Sequence, residues 1–127
     1  MTILLVEDEP DYRRAVEELL TICGYTVVTA CDGREALEVL KSRRVQLIVS
    51  DIHMPHTSGA QLHECVRNDE RFRTLPFVFI TGYTILRVAT PLESPGLDFM
   101  VSKVPFHGLI DVVNSISASM DMAIRPT

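Results

Sequence analysis

Apolar residues follow two rhythms along this chain. Short, nearly continuous runs occupy residues 3–6, 25–30, 47–49, 77–80 and 98–101. Runs of that length, rich in Val, Ile and Phe, fit strands buried on both faces of a parallel sheet. Between them the apolar positions fall at helical spacing. Ala15, Val16, Leu19, Leu20 and Cys23 form one stripe, with Gly24 as its C-terminal stop. Asp32, with Glu35 three residues on, resembles a capping box ahead of Ala36, Leu37 and Leu40. Leu62, Cys65 and Val66 mark a third helix after Ser58-Gly59, and Leu109, Val112, Val113, Ile116 and Met120 an amphipathic last one. Strand followed by helix, repeated five times, predicts an α/β sheet with helices on both faces. One unit is irregular. Residues 85–96 should hold the fourth helix, yet they contain Pro91 and Pro95, so a short or irregular helix, over 83–90 only, is expected. No linker or repeat interrupts the pattern, which reads as one domain over residues 1–127 with a core at about 2–122.

Composition narrows the classes. A chain of 127 residues, 46% hydrophobic and 23% charged, can bury one core and does not read as disordered. No run approaches the ~20 apolar residues that span a bilayer. The start, Met1 to Glu9, has no basic segment and turns acidic at once, unlike a signal peptide. With 17 acidic against 12 basic residues, a net charge of −5 and no basic run longer than Arg43-Arg44, direct nucleic-acid binding is disfavoured. Three cysteines, Cys23, Cys31 and Cys65, read as reduced thiols of a cytoplasmic protein.

The charge is uneven, and that carries the chemistry. Glu7, Asp8, Glu9 and Asp11 crowd into five positions after the first apolar run. In open α/β sheets, ligands bind beyond the carboxyl ends of the strands. Glu7 and Asp8 follow the first strand, Asp51 ends the third, Thr81 ends the fourth and Lys103 follows the fifth. Carboxylates brought together repel unless a cation sits among them. Oxygen ligands with room for water suit Mg²⁺, and an ammonium with a hydroxyl offers donors to phosphoryl oxygens. A carboxylate can itself be the nucleophile, forming an aspartyl phosphate; Asp51 is the natural candidate.

These residues resemble a known family, the receiver domains of two-component response regulators. The likeness rests on Ile3-Leu4-Leu5-Val6-Glu7-Asp8-Glu9, on Ile48-Val49-Ser50-Asp51-Ile52-His53-Met54-Pro55 through Gly59, on Phe79-Ile80-Thr81-Gly82, and on Lys103 with Pro105-Phe106. The resemblance implies a flavodoxin-like, doubly wound five-stranded parallel sheet of order 2-1-3-4-5. It implies that Asp51 accepts a phosphoryl group from a phosphohistidine on a sensor histidine kinase or histidine phosphotransfer protein. Glu7, Asp8, Asp51 and the backbone carbonyl of His53 would hold Mg²⁺. Thr81 and Lys103 would contact the phosphoryl oxygens, with Gly82 leaving room for the threonine to move. Such a chain catalyses only its own phosphorylation and dephosphorylation and signals to a protein partner. It acts alone or as one domain of a longer regulator.

Four departures from the family pattern stand out. Glu7 replaces the usual Asp. Val104 intervenes between Lys103 and Pro105, so a cis bond should fall at Val104–Pro105 and the lysine be displaced or its loop enlarged. The switch position falls on Phe99 or Met100, neither of which carries a hydroxyl. With the proline-interrupted connection, this predicts an output that does not use the family's fourth-helix dimer. The resemblance puts His53 and Tyr83 at positions that flank the path of attacking water, where their rings would slow dephosphorylation; the alternative is a His53 that is merely exposed at the loop. A zinc site from His53, His56 and His63 lacks a cysteine pair and convergent spacing. A dinucleotide enzyme fails because the first turn is acidic where a glycine-rich phosphate loop should be. An Asp-nucleophile phosphohydrolase lacks a proton donor and a cap. The remaining alternative is a pseudo-receiver, a phosphorylation-independent interaction module.

Overall fold

Each apolar run forms a strand, and the described strands pair in parallel. The computed structural model describes residues 1–54, 58–82 and 97–124. Along the chain run β1 (Thr2–Val6), α1 (Pro10–Ile22), β2 (Thr26–Ala30), α2 (Gly33–Ser42), β3 (Leu47–Asp51), α3 (Gly59–Arg67), β4 (Phe77–Thr81), β5 (Asp98–Ser102) and the C-terminal helix α4 (Phe106–Ile124). The sheet order is β2-β1-β3-β4-β5, the flavodoxin-like order. The helix expected over residues 83–90 lies outside the described residues, as does the dimer face built on it. Among the described residues no helix is long and apolar enough to cross a membrane.

Side-chain alternation divides the interior into two cores. Ile3 and Leu5 of β1 join Val16 and Leu20 of α1 and Leu109 and Val113 of α4. Leu4 and Val6 point the other way, to Ala36 and Leu40 of α2 and Leu62 and Val66 of α3. Period-two alternation on strands buried on both faces explains why the runs read as continuously apolar.

The helix ends follow local chemistry. Glu9 caps α1 by accepting from the Asp11 and Tyr12 amides at 3.1 and 2.6 Å, with Pro10 in the first turn. Gly24 ends it with φ of 98°, a conformation costly for other residues. Asp32 caps α2 as expected, accepting from the Glu35 amide at 2.8 Å. The Glu35 carboxylate, however, receives the Cys31 amide at 3.1 Å, one residue before the cap. The reciprocal box forms instead at α3, between Ser58 and Gln61. The cysteine positions also depart from the predicted stripes. Cys23 and Cys65 are exposed, and His63, not Cys65, turns inward beside Leu62 and Val66.

That inward histidine belongs to a buried polar clamp. Asp98, the first residue of β5, is 4% exposed and takes Arg67 Nη2 at 2.5 Å and His63 Nε2 at 2.9 Å. Arg67 Nη1 donates to the carbonyls of Leu75 and Arg73 at 2.7 and 3.1 Å. His63 meets Phe77 edge-on with ring centroids 5.0 Å apart and lies 5.2 Å from Phe79. The clamp fastens α3 to the α3–β4 connection and to the start of β5.

Candidate functional site

Parallel register decides which polar residues meet. Val6 lies beside Ser50, Asp51 beside Ile80 and Thr81 beside Ser102. Glu7, Asp8, Asp51, Thr81 and Lys103 therefore share the carboxyl edge of the sheet. One ligand oxygen each from Glu7, Asp8 and Asp51 lies within 4.8 Å of the others. Glu7 and Asp51 are buried and Asp8 is exposed. The Lys103 ammonium donates to Asp51 Oδ2 at 2.8 Å and Glu7 Oε1 at 3.0 Å. Asp51 Oδ1 accepts the His53 amide at 3.2 Å, and the Ser50 hydroxyl donates to the Asp51 carbonyl at 2.9 Å.

The second oxygen of Glu7, Oε2, is buried with no hydrogen-bond partner among the described residues. A buried, unpaired carboxylate oxygen is costly. Burial, reinforced by the charge of Asp51, pushes the Glu7 carboxyl up to about 7 against the pull of Lys103. Burial draws the Lys103 ammonium down, but its hydrogen bonds to Asp51 and Glu7 outweigh this and hold it above the usual lysine range. Three converging carboxylates, one with an unused buried oxygen, fit a hard divalent cation with oxygen ligands. The longer side chain of Glu7 still reaches the cluster.

The Glu7 shift has a measurable sign. Between its ordinary value of 4.5 and about 7, the folded chain keeps a proton that the unfolded chain releases. With divalent ions chelated, stability is therefore expected to fall as pH rises through that window. Urea unfolding at pH about 5 and about 8 should show a larger loss for the parent than for Glu7→Gln. Parallel losses in the two proteins would refute the assignment.

Other predicted residues fall as follows. Thr81 is buried at the end of β4, and its carbonyl accepts the Lys103 amide at 2.8 Å. At Gly82, an added Cβ would meet no described atom within 4 Å. The cis bond is at Val104–Pro105, as expected. The displaced lysine is not observed. Val104 is 68% exposed, so the extra residue bulges into solvent and the ammonium keeps its place between the acids. Phe99 and Met100 are half-buried and pack on opposite cores, Phe99 with the α1/α4 side and Met100 with the α2/α3 side. His53 is exposed, whereas Tyr83 and His56 lie outside the described residues.

Two residues were not signalled by motif. Tyr12 donates its hydroxyl to the Lys103 carbonyl at 2.8 Å, and its ring centroid lies 4.9 Å from the Lys103 ammonium. Arg13 Nη1 donates to the Glu7 carbonyl at 2.8 Å. Both sit in the first turns of α1, one helical turn beyond Asp8, which is the spacing that could have flagged them. Gly59 opens α3 against the tip of β3, its amide donating to the Ile52 carbonyl at 2.8 Å.

Comparison with known proteins agrees with this geometry. The response regulator receiver domain family profile matches residues 3–113. Response regulator Rre1 of Synechocystis is 36% identical over 107 residues, 84% of this chain and 46% of that protein. Hybrid signal transduction histidine kinase D of Dictyostelium discoideum is 38% identical over 104 residues, 82% of this chain but 7% of the kinase. The chain thus spans less than half the length of these curated relatives. Among solved structures, response regulator TrrA of Thermotoga maritima, in complex with Mg²⁺-BeF, superposes with a TM-score of 0.76 at 30% identity, covering 91% of this chain and 97% of that one. CheY4 of Vibrio cholerae gives a TM-score of 0.76 at 28% identity, with the same coverage. Sheet order, acidic edge and family profile lead to one assignment: this chain belongs to the response regulator receiver family of two-component signalling.

Proposed function

We propose that Asp51 is the phosphoacceptor of this receiver and that a sensor histidine kinase or histidine phosphotransfer protein is its donor. The observation that carries this reading is the placement of the Asp51 carboxylate, buried at the tip of β3 with Lys103 on one oxygen and two further acids beside it. An Asp51 carboxylate oxygen attacks the phosphorus of a phosphohistidine. The P–N bond breaks, its electron pair leaves with the imidazole, and an acyl phosphate forms. Lys103 meets the charge that develops on the phosphoryl oxygens, and the Thr81 hydroxyl supplies a second donor. Glu7, Asp8, Asp51 and the His53 carbonyl would hold Mg²⁺, which neutralises phosphoryl charge when bound. TrrA, a relative with the same fold, was solved in complex with Mg²⁺-BeF, which supports a divalent cation at this edge.

In this reading the chain catalyses only its own phosphorylation and dephosphorylation, in the cytoplasm, and passes the signal to a protein partner, with no direct contact to nucleic acid or membrane. The test is phosphoryl uptake from acetyl phosphate with Mg²⁺, followed by intact-protein mass. The parent is expected to gain one phosphoryl group that Asp51→Asn does not. No gain by the parent from acetyl phosphate or from any phosphorylated kinase would favour the pseudo-receiver. Equal gain by the variant would move the acceptor elsewhere.

A further inference from the structure

Lys103 is approached from three sides, and only two of them are acids. The third is Tyr12, whose hydroxyl donates to the lysine's own carbonyl at 2.8 Å while its ring lies 4.9 Å from the ammonium. We propose that Tyr12 is the positioning residue of Lys103, holding its backbone by the hydroxyl and its ammonium by the ring, and so setting where the ammonium meets a phosphoryl group on Asp51. The proposal rests on the reading of Asp51 as phosphoacceptor.

The need for such a residue comes from the loop. Val104 adds slack directly after Lys103 and is exposed. The Lys103 amide is already anchored to the Thr81 carbonyl at 2.8 Å. Its carbonyl side would be free to turn without the Tyr12 hydroxyl, and a lysine side chain has enough rotatable bonds to follow. Tyr12 is itself well held. Its amide donates to Glu9 Oε2 at 2.6 Å, and its ring stacks on Phe106 at 5.6 Å and 21°. The tyrosine thus ties the first turn of α1 to the first residue of α4 across the lysine loop. A hydroxyl on a half-buried ring needs a partner, and here that partner is the lysine carbonyl. The ring face adds attraction for a cation.

Tyr12 also packs against the α1/α4 core, so the experiment must separate positioning from packing. Tyr12→Phe keeps the ring and removes the anchor. With Mg²⁺ present it is expected to bind beryllofluoride about fivefold more weakly than the parent, with little change in melting temperature. Tyr12→Leu removes both contacts and is expected to weaken binding about tenfold or more. Both effects should vanish when the same substitutions are made in Lys103→Ala. Parent-like binding by Tyr12→Phe, or a loss of equal size without the lysine, would overturn the proposal. If the parent itself binds no beryllofluoride, the phosphoacceptor reading fails separately. The positioning claim is then decided by NMR relaxation of the Lys103 side chain, which Tyr12→Phe must loosen if the proposal holds and leaves unchanged if it does not.

Discussion

Gly59→Ala is expected to destabilise the protein by about 3 kcal/mol or more and, with it, to disable the acidic site. A Cβ at this position would lie 2.2 Å from the Asp51 carbonyl oxygen, 2.9 Å from the Ile52 Cα and 3.1 Å from the Asp51 carbonyl carbon. All three are backbone atoms, so no side chain can swing away. Either α3 retreats, breaking the bond from the Gly59 amide to the Ile52 carbonyl, or the tip of β3 moves and carries Asp51 with it. The melting temperature should fall by roughly 10 °C. Beryllofluoride binding, measured below the new transition, should be lost or strongly weakened. A variant that melts with the parent would show that the close approach of α3 to β3 is not required.

The second large effect concerns the clamp at the start of β5. Asp98→Ala removes the carboxylate that faces Arg67 and His63, leaving a guanidinium that is 11% exposed without its counter-charge. Among the described residues Arg67 Nε is already buried without a hydrogen-bond partner, so the group has little reserve. Removing one member of a buried pair typically costs about 3–5 kcal/mol. The desolvation penalty, rather than the lost attraction, makes up much of that figure. Asp98→Ala combined with Arg67→Met should therefore be less destabilised than the sum of the two single variants. Urea unfolding of the four proteins measures the coupling; strict additivity would show that the pair is not energetically linked.

Much of this architecture was legible in the chain. Five apolar runs marked the strands because burial on both faces removes polar positions from them. The alternation of runs and stripes gave a parallel sheet, and the family likeness gave its order. Asp51, Thr81 and Lys103 could be assigned to one edge because each closes or follows a run. What sequence left open is what depends on three-dimensional approach. The inserted Val104 left open a displaced lysine or an enlarged loop; Val104 is exposed while the ammonium reaches both acids. In sequence His63 stood only in a zinc triplet that its spacing disfavours, and it is half of a buried pair whose partner lies 35 residues on. No periodicity reports such a pairing. Tyr12 carries no motif because its role comes from facing a lysine 91 residues away. The first-helix cap at Glu9 was hidden among acids that looked alike, and only geometry assigns one of them to the helix and others to the site.

The split interior has an evolutionary meaning. β1 is read twice, once through Ile3 and Leu5 by α1 and α4, and once through Leu4 and Val6 by α2 and α3. The two groups of buried residues have no member in common. Sequence drift in one can be compensated by its own helices without consulting the other, so the packing problem factorises into two smaller ones interleaved on the same strands.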